Sequence, residues 1–471
     1  MKKIIIYVLI LTFSNNLANS QSGNFGLGDA RTVALGNTGN ALSQGLLSIN
    51  RNPSLLINRL DTGYLHFVLP FNMSIQATTN TLDIKDVKYY FGGVNNNPDS
   101  SRFLTDLDKK NLVNAFDGDG KFIASANINA FSLAFMPSRE IGAFGISVND
   151  YIYGSIIVPK QMVDLLLNGN NVNQTYSFNT LEAQSSWIRS YGLSYARELI
   201  NKKSQSLRYV SMGASVKLFQ GYQYVSLKSL DTKIYTSTDH KISGQFNATG
   251  ISSFGPSLAG MNPFNNDTSK VNVSPMPEAS GSGIGIDFGI SGEFKFGMKF
   301  GVSINDLGSM NWDKNLETHT ITKSFKLNDL LNKNELDSIL NGSKDSTVKG
   351  GSVKTDLPTV LRLGLLMPVD SLFEVPGELN LLVDMNIGLS DFANNSKKSR
   401  LSLGLDWAIH PDAPRLMTGF STDQTEKWRL SFGLGYNSKL IDFYIATFDL
   451  LSAISPSNNA SIAFTLVWKI M

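Results

Sequence analysis

Six ionisable side chains stand in segments where every second residue is apolar, and each falls in the polar phase: Lys217, Asp287, Arg362, Asp384, Asp406 and Arg429. If the apolar neighbours face hydrocarbon, all six point into an enclosed lumen, because a charge turned toward lipid costs ~2–4 kcal/mol near the midplane. There they could pair across strands and fill the interior, or line a route and seat a plug. Catalytic chemistry has less to stand on. The four histidines, His66, His240, His319 and His410, form no His-x-x-x-His or His-x-Ser pattern, and no Gly-x-Ser-x-Gly elbow occurs. Cysteine is absent, which excludes thiol redox chemistry, disulfides and a lipoprotein anchor. The run Asp117-Gly118-Asp119-Gly120 lacks the ligand at the twelfth position of a calcium loop and reads as a turn. No enzyme, no metal and no cofactor is expected.

The elements that must hold those charges are strands. Leu379, Leu381, Val383, Met385 and Ile387 are apolar at every second position, with Asn380, Asp384, Asn386 and Gly388 falling between them. The same rule returns at Leu401 to Ile409, Trp428 to Tyr436 and Ile462 to Ile470. Successive side chains of a strand point to opposite faces, so each segment has one apolar face and one polar or small one. A soluble sandwich would turn the apolar face inward; a membrane barrel turns it outward. Two features favour the barrel. The polar phase is crowded with Gly, Ser and Asn, and aromatic residues cluster near strand ends, as an interfacial girdle requires. The segments also run to roughly ten residues, about what a tilted strand needs to cross a bilayer.

Export is written at the start of the chain. Met1-Lys2-Lys3, the apolar run Ile4 to Phe13 and the small residues before Gln21 predict a signal peptide over residues 1–20, cleaved after Ser20. The formal net charge is +2, and removing Lys2 and Lys3 leaves zero, so a basic surface for nucleic acid is not expected. Charged residues make up only 17% of the 471, with no composition shift to mark a domain boundary.

Between the signal and the first strand, Asn24 to Leu56 is rich in Gly, Ala and Asn, lacks alternation and ends in an Asn-Pro step that stops a helix. Its Ala34, Gly36, Asn37, Gly39, Ala41, Asn52 and Pro53 resemble the N-terminal hatch of outer-membrane barrels related to the long-chain fatty-acid transporters, including Bacteroidota members that assist type IX secretion. Those relatives carry Asn-Pro-Ala where this chain has Asn-Pro-Ser. The phrase Asn305-Asp306-Leu307-Gly308 with Trp312, preceded by Gly283 to Gly289, also resembles an uncharacterised Bacteroidota outer-membrane family. Alternation gives twelve to sixteen strands; the resemblance implies about fourteen, with a hatch over residues 21–60 and a barrel over 61–471.

Further detail follows from local signals. Leu65 to Gln76 reads as one strand in which Pro70, lacking an N–H, needs a bulge or an unpaired position. Thr105 and Asp108 are spaced as a capping box opening a helix through Phe116. Phe144 to Asp150 is echoed by Phe300 to Asp306, and Asp164 to Gly169 by Asp337 to Gly342, though not as a strict repeat. Ser237 to Ser282 and Asp313 to Thr355 read as long loops on one rim. The expected function is passive uptake or binding of a hydrophobic small molecule in the outer membrane, with the hatch shifting to let ligand leave sideways, as the resemblance implies. The alternative is a non-transporting barrel whose loops dock secretion or surface machinery.

Overall fold

The computed structural model describes residues 28–470, except 59–63, 94–99, 101, 117, 201–205, 265–270, 272–273, 328–343, 393–394, 411–412, 423–426 and 455–457. The expected signal peptide and the Asp337 to Gly342 echo lie outside the described residues.

Fourteen wall strands close a single antiparallel barrel. They are β1 (Leu65–Val68, continued by Asn72–Thr79), β2 (Gly120–Ser138), β3 (Gly142–Val158), β4 (Glu182–Ile200), β5 (Leu207–Ser229), β6 (Gly281–Phe294) and β7 (Lys299–Trp312). The circuit continues with β8 (Val353–Asp356, continued by Val360–Pro368), β9 (Glu378–Gly388), β10 (Ser399–Ala408), β11 (Arg415–Thr422), β12 (Trp428–Asn437), β13 (Ile441–Thr447) and β14 (Asn459–Ile470). Each pairs with its sequence neighbour, and β14 closes on β1 through Leu65↔Ile470 and Met73↔Phe464. Closure removes the unpaired edges that hydrocarbon could not satisfy. No described helix is long and apolar enough to cross a membrane.

Side-chain polarity is inverted relative to a soluble protein. On β5, Val216 and Leu218 are 52% and 56% exposed while Lys217 between them is 1% exposed. On β6, Phe288 and Ile290 are exposed, and Asp287 and Ser291 buried. Asp384, Asn386, Ser402 and Asp406 are fully buried inside β9 and β10. An apolar exterior around a polar interior is the arrangement of a transmembrane barrel, not of a sandwich.

One expectation is met, the bulge at Pro70, and two are corrected. The first strand is interrupted at residues 69–71: Val68 pairs with Ser132 and Asn72 with Asn129, so three residues of β1 face two of β2. Pro70 has no N–H to give the ladder there. The interval 237–282 is not all loop, because Ile242–Phe254 pairs with the outer end of β5 at Gln223 to Ser229. The interval 313–355 likewise contributes Leu316–Leu327 and Lys344–Lys349, which extend that pairing. With Lys233–Thr236 and Gln174–Ser177 they form a sheet that rises beyond the barrel rim. The sequence of these strands is rich in Ser, Thr, Asn and Gln, so no regular apolar alternation marks them.

The expected capping box is present: Thr105 and Asp108 cap each other at the start of Asp106–Ala115. Helices Ile84–Phe91 and Lys160–Asn168 share that long-loop rim, while the opposite rim has tight turns such as Ser138 to Gly142 and Phe294 to Lys299.

The facing assignment has a direct test. Val302→Arg on the outer face of β7 loses ~2–4 kcal/mol and fails to give the heat-modifiable folded form in a gel-mobility assay, whereas Asn127→Asp, on the wall of an internal cavity, still gives it.

Candidate functional site: the plugged lumen and its outer pocket

A fourteen-strand barrel leaves more interior than its own side chains fill. Residues 29–57 occupy that space. A short helix, α1 (Ala30–Ala34), begins at Asp29, whose carboxylate caps the backbone N–H groups of Arg31 and Thr32. Gly36 and Asn37 then take φ of 67° and 64°, turning the chain back on itself. The 3₁₀ turns Gly45–Ser48 and Pro53–Ile57 complete the plug, the second capped by the Asn52 side chain with Pro53 at its first position.

The plug is seated by backbone-to-wall contacts. The Asp384 carboxylate accepts the N–H groups of Gly39 at 2.8 Å and Asn40 at 2.9 Å. Ser431 accepts the Gly36 N–H at 2.8 Å and donates to the Ala34 carbonyl at 2.8 Å. Asn40 donates to the carbonyls of Gly301 and Arg362 at 2.9 and 3.0 Å. Ser303 donates to Asn40 Oδ1 and to the Arg51 carbonyl. Within the plug, Arg51 grips the Asn37 carbonyl and side chain at 3.0 and 2.6 Å, Asn52 donates to the Asn40 carbonyl, and Ala41 is buried.

The wall makes room by omitting side chains. A Cβ on Gly301 would lie 1.9 Å from the Asn40 carbonyl oxygen, one on Gly419 2.1 Å from the Gly36 nitrogen, and one on Gly289 2.0 Å from Asn52 Oδ1. Such contacts are far inside van der Waals limits. The glycines in the polar phase therefore set how closely the plug approaches, a use that alternation alone does not announce.

The six lumen charges divide into distinct groups. Asp406 holds Arg31 of the plug at 2.8 Å and Arg415 of β11 at 2.9 Å. Lys217 lies 2.8 Å from both Asp287 and Asp306. Arg429 meets Asp449 at 2.8 Å, and Arg362 donates to Asn305 and Asn386. Asp384 and Asp406 thus meet the plug, while the other four are tied to wall or loop groups. Arg31, Arg51, Asp306, Arg400 and Arg415 were missed from sequence. Arg400 precedes Leu401 in the right phase for the lumen and was readable; Asp306 was not, since its φ of 54° breaks the alternation.

One cavity borders the plug and another lies farther out. The inner one, about 120 Å³, has a mixed lining against the plug: Asn50, Asn72, Asn127, Asn129, Asn149 and Tyr151, the charged Asp29, Arg51, Asp306 and Arg362, and the apolar Leu46, Leu47, Val68 and Met73. The outer one, about 580 Å³, lies at the long-loop rim and is mostly apolar: Leu82, Ile84, Val87, Phe122, Ile123, Ile156 and Val225 line it. Its helix Ile84–Phe91 starts at an Asp83–Asp86 capping box and rests over the rim cluster of Leu82, Leu112 and Phe116. The two cavities share no lining residue. Among the described residues no group of acidic and histidine side chains is arranged to hold a metal.

Gly301→Val should therefore unseat the plug without unfolding the wall, making residues 29–57 at least tenfold more susceptible to limited proteolysis. Asp384→Ala, which strands two buried N–H donors at about 1–3 kcal/mol each, should act in the same direction.

The TodX deltaS2S3 mutant of a monoaromatic hydrocarbon channel superposes with a TM-score of 0.50 at 11% identity, covering 94% of this chain and 99% of that one. The Ralstonia pickettii toluene transporter TbuX gives 0.48 at 12% identity over 94% and 98%, and a Pseudomonas aeruginosa FadL homologue 0.41 at 12% over 95% and 99%. No curated protein matches the sequence. Residues 61–447, most of the barrel wall, match a family of unknown function, and the chain belongs to that family, DUF5723.

Proposed function

We propose that this chain is an outer-membrane barrel that binds or passively takes up a hydrophobic small molecule, captured first in the outer pocket. The observation carrying this reading is that pocket: about 580 Å³ with an apolar lining, within the range of small-molecule sites. A water-exposed rim has no structural need for so large an apolar concavity. Passage inward requires the plug to shift, because the tightly seated residues 29–57 separate the pocket from the opposite rim. Residues 1–20 act as the export signal and 21–60 as the movable hatch in this account. The toluene and hydrocarbon channels that share the fold are named for apolar substrates, which is consistent with it.

One observation favours the second reading, a barrel that docks other proteins. Phe91, Phe103, Leu107 and Leu166 on the rim helices and their loops are 66%, 88%, 66% and 74% exposed. A partner covering them would explain that exposure without transport. The two readings separate on purification of the full chain in detergent with mass spectrometry of what accompanies it. The uptake reading expects an apolar molecule near one per chain, and Ile123→Asp, which puts a carboxylate on the pocket wall, should reduce its retention at least tenfold. A stoichiometric protein partner with no such molecule would contradict it.

A further inference from the structure

We infer that the lumen contains a binding site for a small oxyanion, shared between plug and wall and formed by Arg51, Arg362 and Arg400. The strand register brings the wall residues together. Arg362 of β8 is opposite Asn386 of β9, which is opposite Arg400 of β10, all three facing inward. Adjacent strands lie ≈ 4.7–4.9 Å apart, so the two arginine backbones are separated by roughly 10 Å. Arg51 approaches from the plug, its Nη1 3.7 Å from Asp384 Oδ2. Arg362 feels the positive charge of both other guanidinium groups, and Arg400 that of Arg51.

Counter-charge in this region is committed elsewhere. Asp384 attracts all three arginines, but its Oδ2 already accepts two plug N–H groups. Asp306 is taken by Lys217, and Asp29 caps α1. Donors are correspondingly in surplus. Arg400 is 1% exposed, yet its Nε and Nη2 meet no acceptor; the same holds for Asn386 Nδ2 and the Ser402 hydroxyl, against one orphan acceptor beside them, Asp384 Oδ1. A buried donor without an acceptor costs about 1–3 kcal/mol, more when charged. Water could fill some of these bonds but would leave the guanidinium groups repelling one another. An oxyanion does both, and the planar fork of arginine matches carboxylate or phosphate oxygens. Space exists alongside: Arg51 and Arg362 border the 120 Å³ cavity, far above the roughly 10–15 Å³ that one water requires; Asp29 and Asp306 line it too, but are engaged by α1 and Lys217, and Arg400 stands beyond its lining, one strand past Asn386.

Such an anion would bridge a plug arginine to two wall arginines and so hold the plug closed. The inference does not depend on a hydrophobic molecule passing through the barrel.

The test uses the full chain in detergent with inorganic phosphate as probe and chloride at matched ionic strength as reference. Phosphate should bind by calorimetry and slow proteolysis of residues 29–57 at least fivefold relative to chloride. Arg400→Gln should weaken that response at least tenfold and Arg400→Lys less, with folding verified by heat-modifiable mobility. Acetate and octanoate distinguish the source: equal responses identify a free oxyanion, a tighter octanoate response an anionic headgroup, and either supports the site. The inference is overturned if phosphate and chloride act alike on the unsubstituted protein, a comparison that needs no variant. It is also overturned if Arg400→Gln responds unchanged, or if an experimental map shows Arg400 paired with a carboxylate of the chain itself.

Discussion

Hydrocarbon cannot satisfy a polar side chain, and the rest of this structure follows from that constraint. Every wall strand must present an apolar face to lipid, which leaves its polar face to an interior that water and protein share. Fourteen strands enclose too much space for their own side chains to fill. The interior then has to be closed by another part of the chain, and residues 29–57 are folded into it by contacts from almost every direction of the wall. The polar phase that looks like spare hydrophilicity in the sequence is the surface against which the plug is fitted.

The fit relies on two complementary devices. Gly301 and Gly419 let plug backbone approach wall backbone, Gly289 makes room for the Asn52 side chain, and carboxylates at Asp384 and Asp406 reach the N–H groups and the arginine that the plug presents. A buried ion pair contributes little by itself once desolvation is counted, yet losing one partner is strongly destabilising. The Arg31–Asp406–Arg415 cluster therefore works less as a source of stability than as a register mark, since the plug can take few other positions without stranding a charge. A plug held in this way can move only by trading these partners for others, and the arginine surplus around Arg400 shows where the balance is closest.

Much of the wall was legible in the sequence because alternation at period two is a direct record of which face meets lipid. Leu401 to Ile409 and Ile462 to Ile470 carry it without interruption, and their neighbours across the sheet follow. The count of fourteen was not legible from alternation, since the strand broken near Pro70 and the strands beyond the rim blur it. Those outer strands escaped notice for a physical reason: standing beyond the rim, they meet no lipid, so Lys233–Thr236 and Leu316–Leu327 can carry Thr, Ser and Lys in place of a regular apolar phase. The partners of the lumen charges were equally hidden. Arg31 and Asp406 are 375 residues apart in sequence, and only closure of the barrel places them together. The apolar pocket at the rim has no periodic signature either, because loop, helix and six wall strands each contribute no more than three residues to it.

The claim on which all of this depends is the direction in which each face looks. The most direct measurement is a spin-label scan of residues 428–437, one position at a time, on the chain refolded in lipid vesicles, comparing collisions with oxygen and with a water-soluble nickel complex. Labels at Leu430, Phe432 and Leu434 should be reached by oxygen and shielded from nickel, with the opposite or an immobile, inaccessible response at Arg429, Ser431 and Gly433. A scan with the phase reversed, or without any period of two, would contradict the barrel described above.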